Sequence, residues 1–204
     1  MDLKLMTANR DLKAQLFSQI ETIGKERSIL PFSDTSIDDT IRRLENVNPM
    51  TQPLASDNLS SLVGDWQLVY ASNGTVVTRP IAEMTNVLGT AIKVNKIWQS
   101  LAVLDEKIKA DNQALIELPL LGEYKLSAEG VWQPEPDQQA AMVMFDAFTA
   151  QAIKFLGQSD WTLPELKIPV LEFLRNEALW ITSYLDEDTR IGRGKTGNLF
   201  VFCR

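Results

Sequence analysis

Residues 62–72 read LVGDWQLVYAS. Trp66, Leu68 and Tyr70 alternate here with Gln67, Val69 and Ala71. A period of two with aromatic and branched residues predicts a strand, and Trp66, Leu68 and Tyr70 are expected on its inward face. Further strands are predicted downstream over Ile92–Trp98, Leu115–Leu118, Tyr124–Trp132, Ala141–Phe148, Leu179–Leu185, Thr189–Arg193 and Asn198–Cys203. Asp186-Glu187-Asp188, Gly194 and Gly197 supply turns between the last of them. Many short strands joined by tight turns favour a meander that closes on itself. A closed sheet of about eight strands is filled by side chains or holds one small ligand.

Upstream of Leu62 the period is helical. Leu12, Leu16, Ile20 and Ile23 form one stripe within a helix predicted from about Leu3 to Glu26. A second helix is predicted with Ser36 as its N-cap, and Ile37, Ile41, Leu44 and Val47 as its stripe, stopped by Pro49. Residues 49–61 are polar, contain Pro53 and read as a linker. The expected class is therefore mainly β with an N-terminal helical segment (α+β). Residues 1–61 form the helical segment and linker, and residues 62–204 the antiparallel up-and-down β-barrel.

Composition narrows the chemistry. The formal net charge is −7, which disfavours nucleic acid as a partner because that binding depends on a dense basic surface. No histidine is present, so Ser-His and Cys-His nucleophile pairs and His-ligated metals are excluded. Cys203 is the single cysteine and permits neither an internal disulfide nor a thiolate zinc cage. No catalytic residue, metal site or cofactor is expected. The first residues have no secretory signal, and their Asp2 and Asp11 do not suit a transit peptide. The most apolar stretch, Ala140 to Leu156, is broken by Asp146, Gln151 and Lys154, so no membrane-spanning segment is expected.

Two segments carry a family resemblance. LENVNPMTQPLASDNLSSLVGDWQLVYAS, from Leu44 to Ser72, has Asn48-Pro49 ending the helices, then Gly64, Trp66, Tyr70 and Ser72. YLDEDTRIGRGKTGNLFVFCR, from Tyr184 to Arg204, has Leu185-Asp186, Arg190-Ile191, Arg193-Gly194 and Leu199-Phe200-Val201. Together they resemble the plastid lipid-associated proteins, also called plant fibrillins or plastoglobulins. The likeness is strong at both ends and weak from about Thr75 to Trp180. It implies a lipocalin-like barrel and a non-enzymatic protein of photosynthesis. It further implies association with the thylakoid membrane or lipid droplets, and binding or organisation of a carotenoid, a quinone or another prenyl lipid. Without a transit peptide, the chain reads as a cyanobacterial member or a mature plastid form, in the cyanobacterial cytoplasm or the plastid stroma.

The candidate residues follow. Gly64-Asp65-Trp66 is similar to the first strand of lipocalins, where a tryptophan closes the barrel base under an arginine from a late strand. A guanidinium can cover the ring while its donors bond the end carbonyls. Arg190 and Arg193 are the candidates, and Gly64, Asp186, Arg190 and Arg193 are assigned structural roles. Asp186 is expected to pair with Arg190 or Arg193. Asp186-Glu187-Asp188 reads as a charged turn, since calcium needs six or more oxygens. Gly192-Arg193-Gly194-Lys195-Thr196 is not a phosphate loop, because Thr189 stands where the earlier glycine belongs and the segment lies in a hairpin. Carboxylate pairs such as Asp105-Glu106 have no nucleophile near them and read as surface.

Aromatic residues in a barrel mostly fill its core. If a cavity exists, Trp66, Leu68, Tyr70, Trp98, Phe145 and Tyr184 are the expected ligand contacts, for a carotenoid, quinone or fatty acid. The segment WTLPELKIPVLEFL, from Trp161 to Leu174, has two prolines and too many apolar residues for a solvated loop. It is expected either to fold over the barrel mouth or to pack on the helices. Alternatively it dips into lipid through Trp161, Leu171 and Phe173, because an acidic protein needs an apolar contact to dock. The competing functions are a packed barrel that coats lipid or holds a lipid-metabolism enzyme as protein partner, and an enzyme acting on a lipid.

Overall fold

The computed structural model describes residues 3–75, 78, 92–105, 107–155, 164, 166–168 and 178–204. Ahead of the first strand, the described residues form the α-helices α1 (Leu3–Ile23), α2 (Lys25–Ile29), α3 (Thr35–Glu45) and α4 (Leu59–Leu62), the last preceded by a 3-10 turn at Ser56–Asn58. Nine strands follow: β1 (Gly64–Ala71), β2 (Lys93–Leu104), β3 (Lys107–Leu118), β4 (Gly122–Pro134), β5 (Ala140–Phe155), β6 (Leu166–Ile168), β7 (Ala178–Leu185), β8 (Thr189–Gly194) and β9 (Leu199–Cys203).

Every strand pairing is antiparallel. The sheet order is β4-β3-β2-β1-β9-β8-β7-β5-β6, and β4 also pairs with β5. Eight strands therefore close in a ring, and β6 adds to β5 beyond the stretch that β7 occupies. Closure leaves those eight strands no open edge over their paired lengths. The up-and-down order matches the meander read from the turns. β2 and β3 are each twelve residues long, well beyond the spans their apolar residues suggest.

One end of the ring is a base, where β1 begins at Gly64 and β9 ends at Cys203. The β3–β4 turn, the β8–β9 turn and the start of β7 stand at the opposite end.

Of the five register shifts among the described strands, two decide where the aromatic residues of β1 and β7 stand relative to the wall. In β1 the register steps between Leu68 and Tyr70, which leaves Val69 as the extra residue. In β7 it steps between Thr182 and Tyr184, which leaves Ser183 extra. Each bulge reverses the alternation for the residues that follow. Trp66 and Leu68 lie in the interior cluster, whereas Tyr70 lies in a second cluster outside. Trp180 packs inside, whereas Tyr184 joins the outer cluster. The strict alternation expected for β1 thus fails after Leu68, and Tyr70 does not face inward.

The outer cluster is roofed by helices. Leu12, Leu16 and Ile20 of α1 and Ile37, Ile41 and Leu44 of α3 cover Tyr70, Tyr184, Ile191, Leu199 and Val201. The predicted stripes are the buried faces, each such side chain contributing roughly 1.5–3 kcal/mol when removed from water. α3 starts two residues earlier than expected. Its N-cap is Asp34, whose side chain accepts from the Ser36 backbone N–H at 2.8 Å, rather than Ser36.

Asn48 explains the Asn-Pro that ends the helices. Its amide donates to the carbonyls of Met50 and Ser183, and its oxygen accepts from the backbone N–H groups of Met50 and Leu185. The side chain so ties the linker to the bulged strand β7. Among the described residues, no helix is long and apolar enough to cross a membrane.

Candidate functional site

The base of the barrel is plugged. Trp66 is fully buried and donates its indole N–H to the Leu62 carbonyl at 2.7 Å. Two guanidinium groups approach its ring, Arg204 at 4.0 Å and Arg190 at 5.2 Å from the centroid. Arg204 also donates to the carbonyls of Ser61 and Val63. The closing role foreseen for Arg190 or Arg193 is therefore carried largely by Arg204. It was missed because the last residue stands outside the strand pattern. Gly64 has φ 115°, a conformation that other residues adopt only with strain, and it sets the turn into β1 beside Arg204.

Above the plug lies a cavity of about 450 Å³. Leu68, Ile97, Val143, Phe145, Trp132, Trp180, Phe200 and Phe202 give it apolar walls. Gln99, Asn112, Lys195 and Thr196 are polar members of the lining. The size and the balance of many apolar with few polar groups match sites for small hydrophobic molecules. Trp180 is the hub of the aromatic wall, 5.5 Å from Trp132 and 5.3 Å from Phe200 between ring centroids. It stands against Gly192, where an added Cβ would fall 1.9 Å from the indole. The glycine is needed for that close approach.

A polar line crosses the wall. Arg190 is fully buried and donates to Gln99 Oε1 at 2.5 Å. Gln99 donates to Asn112 Oδ1 at 2.6 Å, and Asn112 donates to the Ala128 carbonyl at 3.2 Å. Burial pulls the Arg190 pKa down to about 9, with the positive charge of Arg204 adding to the effect.

The six expected ligand contacts divide. Leu68 and Phe145 line the cavity. Trp98 belongs to its wall, but the ring lies under Lys96 and Lys125, 5.2 and 5.9 Å away, on the face opposite Ile97 and Gln99. Trp66 forms the plug below. Tyr70 and Tyr184 lie outside, under the helices, because of the two bulges. The cavity's Gln99 and Asn112 escaped the reading because inward polar residues break the apolar alternation of β2 and β3.

The structural candidates also rearrange. Asp186 does not pair with Arg190 or Arg193. It accepts from Lys13 at 2.8 Å, from the Tyr184 hydroxyl at 2.5 Å and from the backbone N–H groups of Asp188 and Thr189. Lys13 also bonds Asp188, so a cation from α1 holds the charged turn. The Tyr184 hydroxyl also lies 2.7 Å from Asn9 Oδ1, so its one proton is shared between Asp186 and Asn9, and burial pushes its pKa strongly upward. Tyr70 is raised to about 12 by burial and by the charge of Asp38. Arg193 makes a bidentate pair with Glu45 of α3 at 2.6 and 2.7 Å. Trp161, Leu171 and Phe173 fall outside the described residues.

An amphipathic arm fastened to a ring-closed barrel with an apolar cavity is the frame for the comparison with known proteins. No solved structure matches the chain. A stretch of 68 residues is 31% identical to the probable plastid-lipid-associated protein 5, chloroplastic, of Arabidopsis thaliana. The match covers 33% of this chain and 28% of that relative. The PAP_fibrillin family model matches residues 10–203, nearly the whole of helical arm and barrel, and the chain belongs to that family.

Proposed function

We propose that this protein binds a hydrophobic molecule, such as a carotenoid, a quinone or another prenyl lipid, inside its barrel and has no enzymatic role. The observation that carries this reading is the apolar cavity of about 450 Å³ above the Trp66 plug. A barrel built for rigidity alone fills such space, because a void forfeits packing contacts. The work is done at a lipid surface, at the thylakoid membrane or at lipid droplets of a cyanobacterium or plastid. Family membership and the plastid-lipid-associated relative support this placement.

Support for lipid contact comes also from the β3–β4 turn at the cavity end. Leu120 is 93% exposed and Leu121 is 46% exposed. Trp161, Leu171 and Phe173 remain part of the proposed contact. Titration of tryptophan fluorescence with prenyl quinones, carotenoids and fatty acids tests binding. Quenching at micromolar concentration is expected, since Trp132 and Trp180 line the cavity. Silence with every ligand would favour the packed barrel that coats lipid or holds an enzyme. Flotation with liposomes tests docking. It is expected to survive high salt and to weaken in Leu120→Glu/Leu121→Glu and in Leu171→Glu/Phe173→Glu.

A further inference from the structure

We propose that the ligand is an amphiphile with a carboxylate head group, and that Arg190 receives that head at the deep end of the cavity. This rests on the barrel being a binding site for a hydrophobic molecule and favours, among such molecules, a fatty-acid-like anion over the uncharged carotenoids and quinones. A guanidinium carries five N–H donors in a planar fork. Arg190 is fully buried, yet its Nε and Nη1 have no partner, and Nη2 alone is used, on the neutral Gln99. Among the described residues no carboxylate pairs with it. The charged group that acts on it is Arg204, also positive. Buried cations are ordinarily paired, because water has been removed and nothing else answers the charge.

A purely structural role accounts for only half of this arrangement. The guanidinium lies over Phe202 at 4.3 Å, Trp66 at 5.2 Å and Trp132 at 5.8 Å. Those contacts use aromatic faces and leave the N–H donors open. Gln99, Trp132 and Phe202 touch Arg190 and also line the cavity, so the cation lies directly behind the cavity wall. A carboxylate that replaces Gln99 as acceptor on Nη2 supplies the missing charge, and its second oxygen reaches one of the two unpartnered nitrogens, in the geometry that suits a guanidinium. Gln99 keeps its bond to Asn112 as the alternative partner. The alkyl tail then runs past Trp180 and Phe145 toward the mouth. At neutral pH the head meets a protonated Arg190, whose pKa of about 9 leaves it charged.

Laurate, dodecanol and dodecyltrimethylammonium share one chain and differ in head charge, which makes them the probes for the intact protein. Laurate is expected to bind about tenfold or more tighter than dodecanol, with the ammonium weakest. In isotope-labelled protein the Arg190 Nε–H resonance is expected to shift with laurate and not with dodecanol. Arg190→Met is expected to bring laurate down to the dodecanol level. Should that variant not fold, the charge series and the resonance in the unaltered protein decide. Equal affinity for laurate and dodecanol, or an unmoved Arg190 resonance at saturation, overturns the carboxylate assignment and leaves apolar binding standing. Failure of both to bind overturns the carboxylate assignment, and the titration with prenyl quinones and carotenoids then decides the barrel-binding reading separately.

Discussion

Arg190 and Arg193 stand on the same strand, β8, and face opposite sides of the barrel wall. Arg193, outside, is gripped by both oxygens of Glu45 on α3. Arg190, inside, has two unpartnered nitrogens and no counter-ion among the described residues. The same contrast holds between the two clusters that the wall separates. The outer one is stitched by Tyr184 to Asn9, by Lys13 to Asp186 and by Arg193 to Glu45. The inner one pairs a tight aromatic plug with a cavity and an unanswered cation. The outer layer is thus fitted to stability, and the inner one leaves the open donors that the proposed binding role would use.

The sharpest way to break this contrast is at the plug, the part of the interior that is packed. Trp66→Ala is expected to lower unfolding free energy by about 3–5 kcal/mol, read from chemical denaturation, because the void opens beneath two arginines. A variant that melts like the parent yet loses ligand would move Trp66 into the binding site instead. The two arginines give the next test. Arg193→Met leaves Glu45 half-buried without its cation and is expected to cost about 2 kcal/mol. Arg190→Met removes an unpaired buried charge and is expected to be neutral or stabilising. Equal losses would mean that Arg190 is held as firmly as Arg193. Tyr184→Phe removes the hydroxyl shared by Asn9 and Asp186 and is expected to cost about 1 kcal/mol, with ligand affinity unchanged.

The smallest expected effect is that of acid. Burial alone would raise the Asp188 pKa, but hydrogen bonds from Lys13 and Thr189 and the Lys13 charge hold it below the ordinary 3.8. A carboxylate with a depressed folded pKa contributes stability above the unfolded value, and that stability is lost as pH falls through the folded value. Below about pH 4, α1 is therefore expected to lose hydrogen-exchange protection before β1 and β9 do. Simultaneous loss in helix and barrel would mean that the Lys13 clamp does not fasten the arm.

Sequence pattern revealed the architecture where each residue's chemistry matched its side of the wall. α1, α3 and the start of β1 have apolar periods that burial follows. The pattern failed at Val69 and Ser183, where one extra residue reverses a strand face without changing its composition. Tyr70 and Tyr184 were placed wrongly relative to the wall for that reason. It failed again along β2 and β3, whose inward Gln99 and Asn112 lie beyond the predicted spans Ile92–Trp98 and Leu115–Leu118. Gly192 carried no signal of its own, since only the packed Trp180 shows why a side chain cannot stand there.

The claim that the interior is kept for a guest is tested most directly by native mass spectrometry of the protein purified from a photosynthetic host, followed by organic extraction. One apolar molecule bound per chain is expected, released on denaturation and absent from a variant whose cavity is filled by Val143→Trp. Protein that emerges empty from a lipid-rich host, with nothing in the extract, would contradict the account and make the cavity a packing defect of a structural barrel.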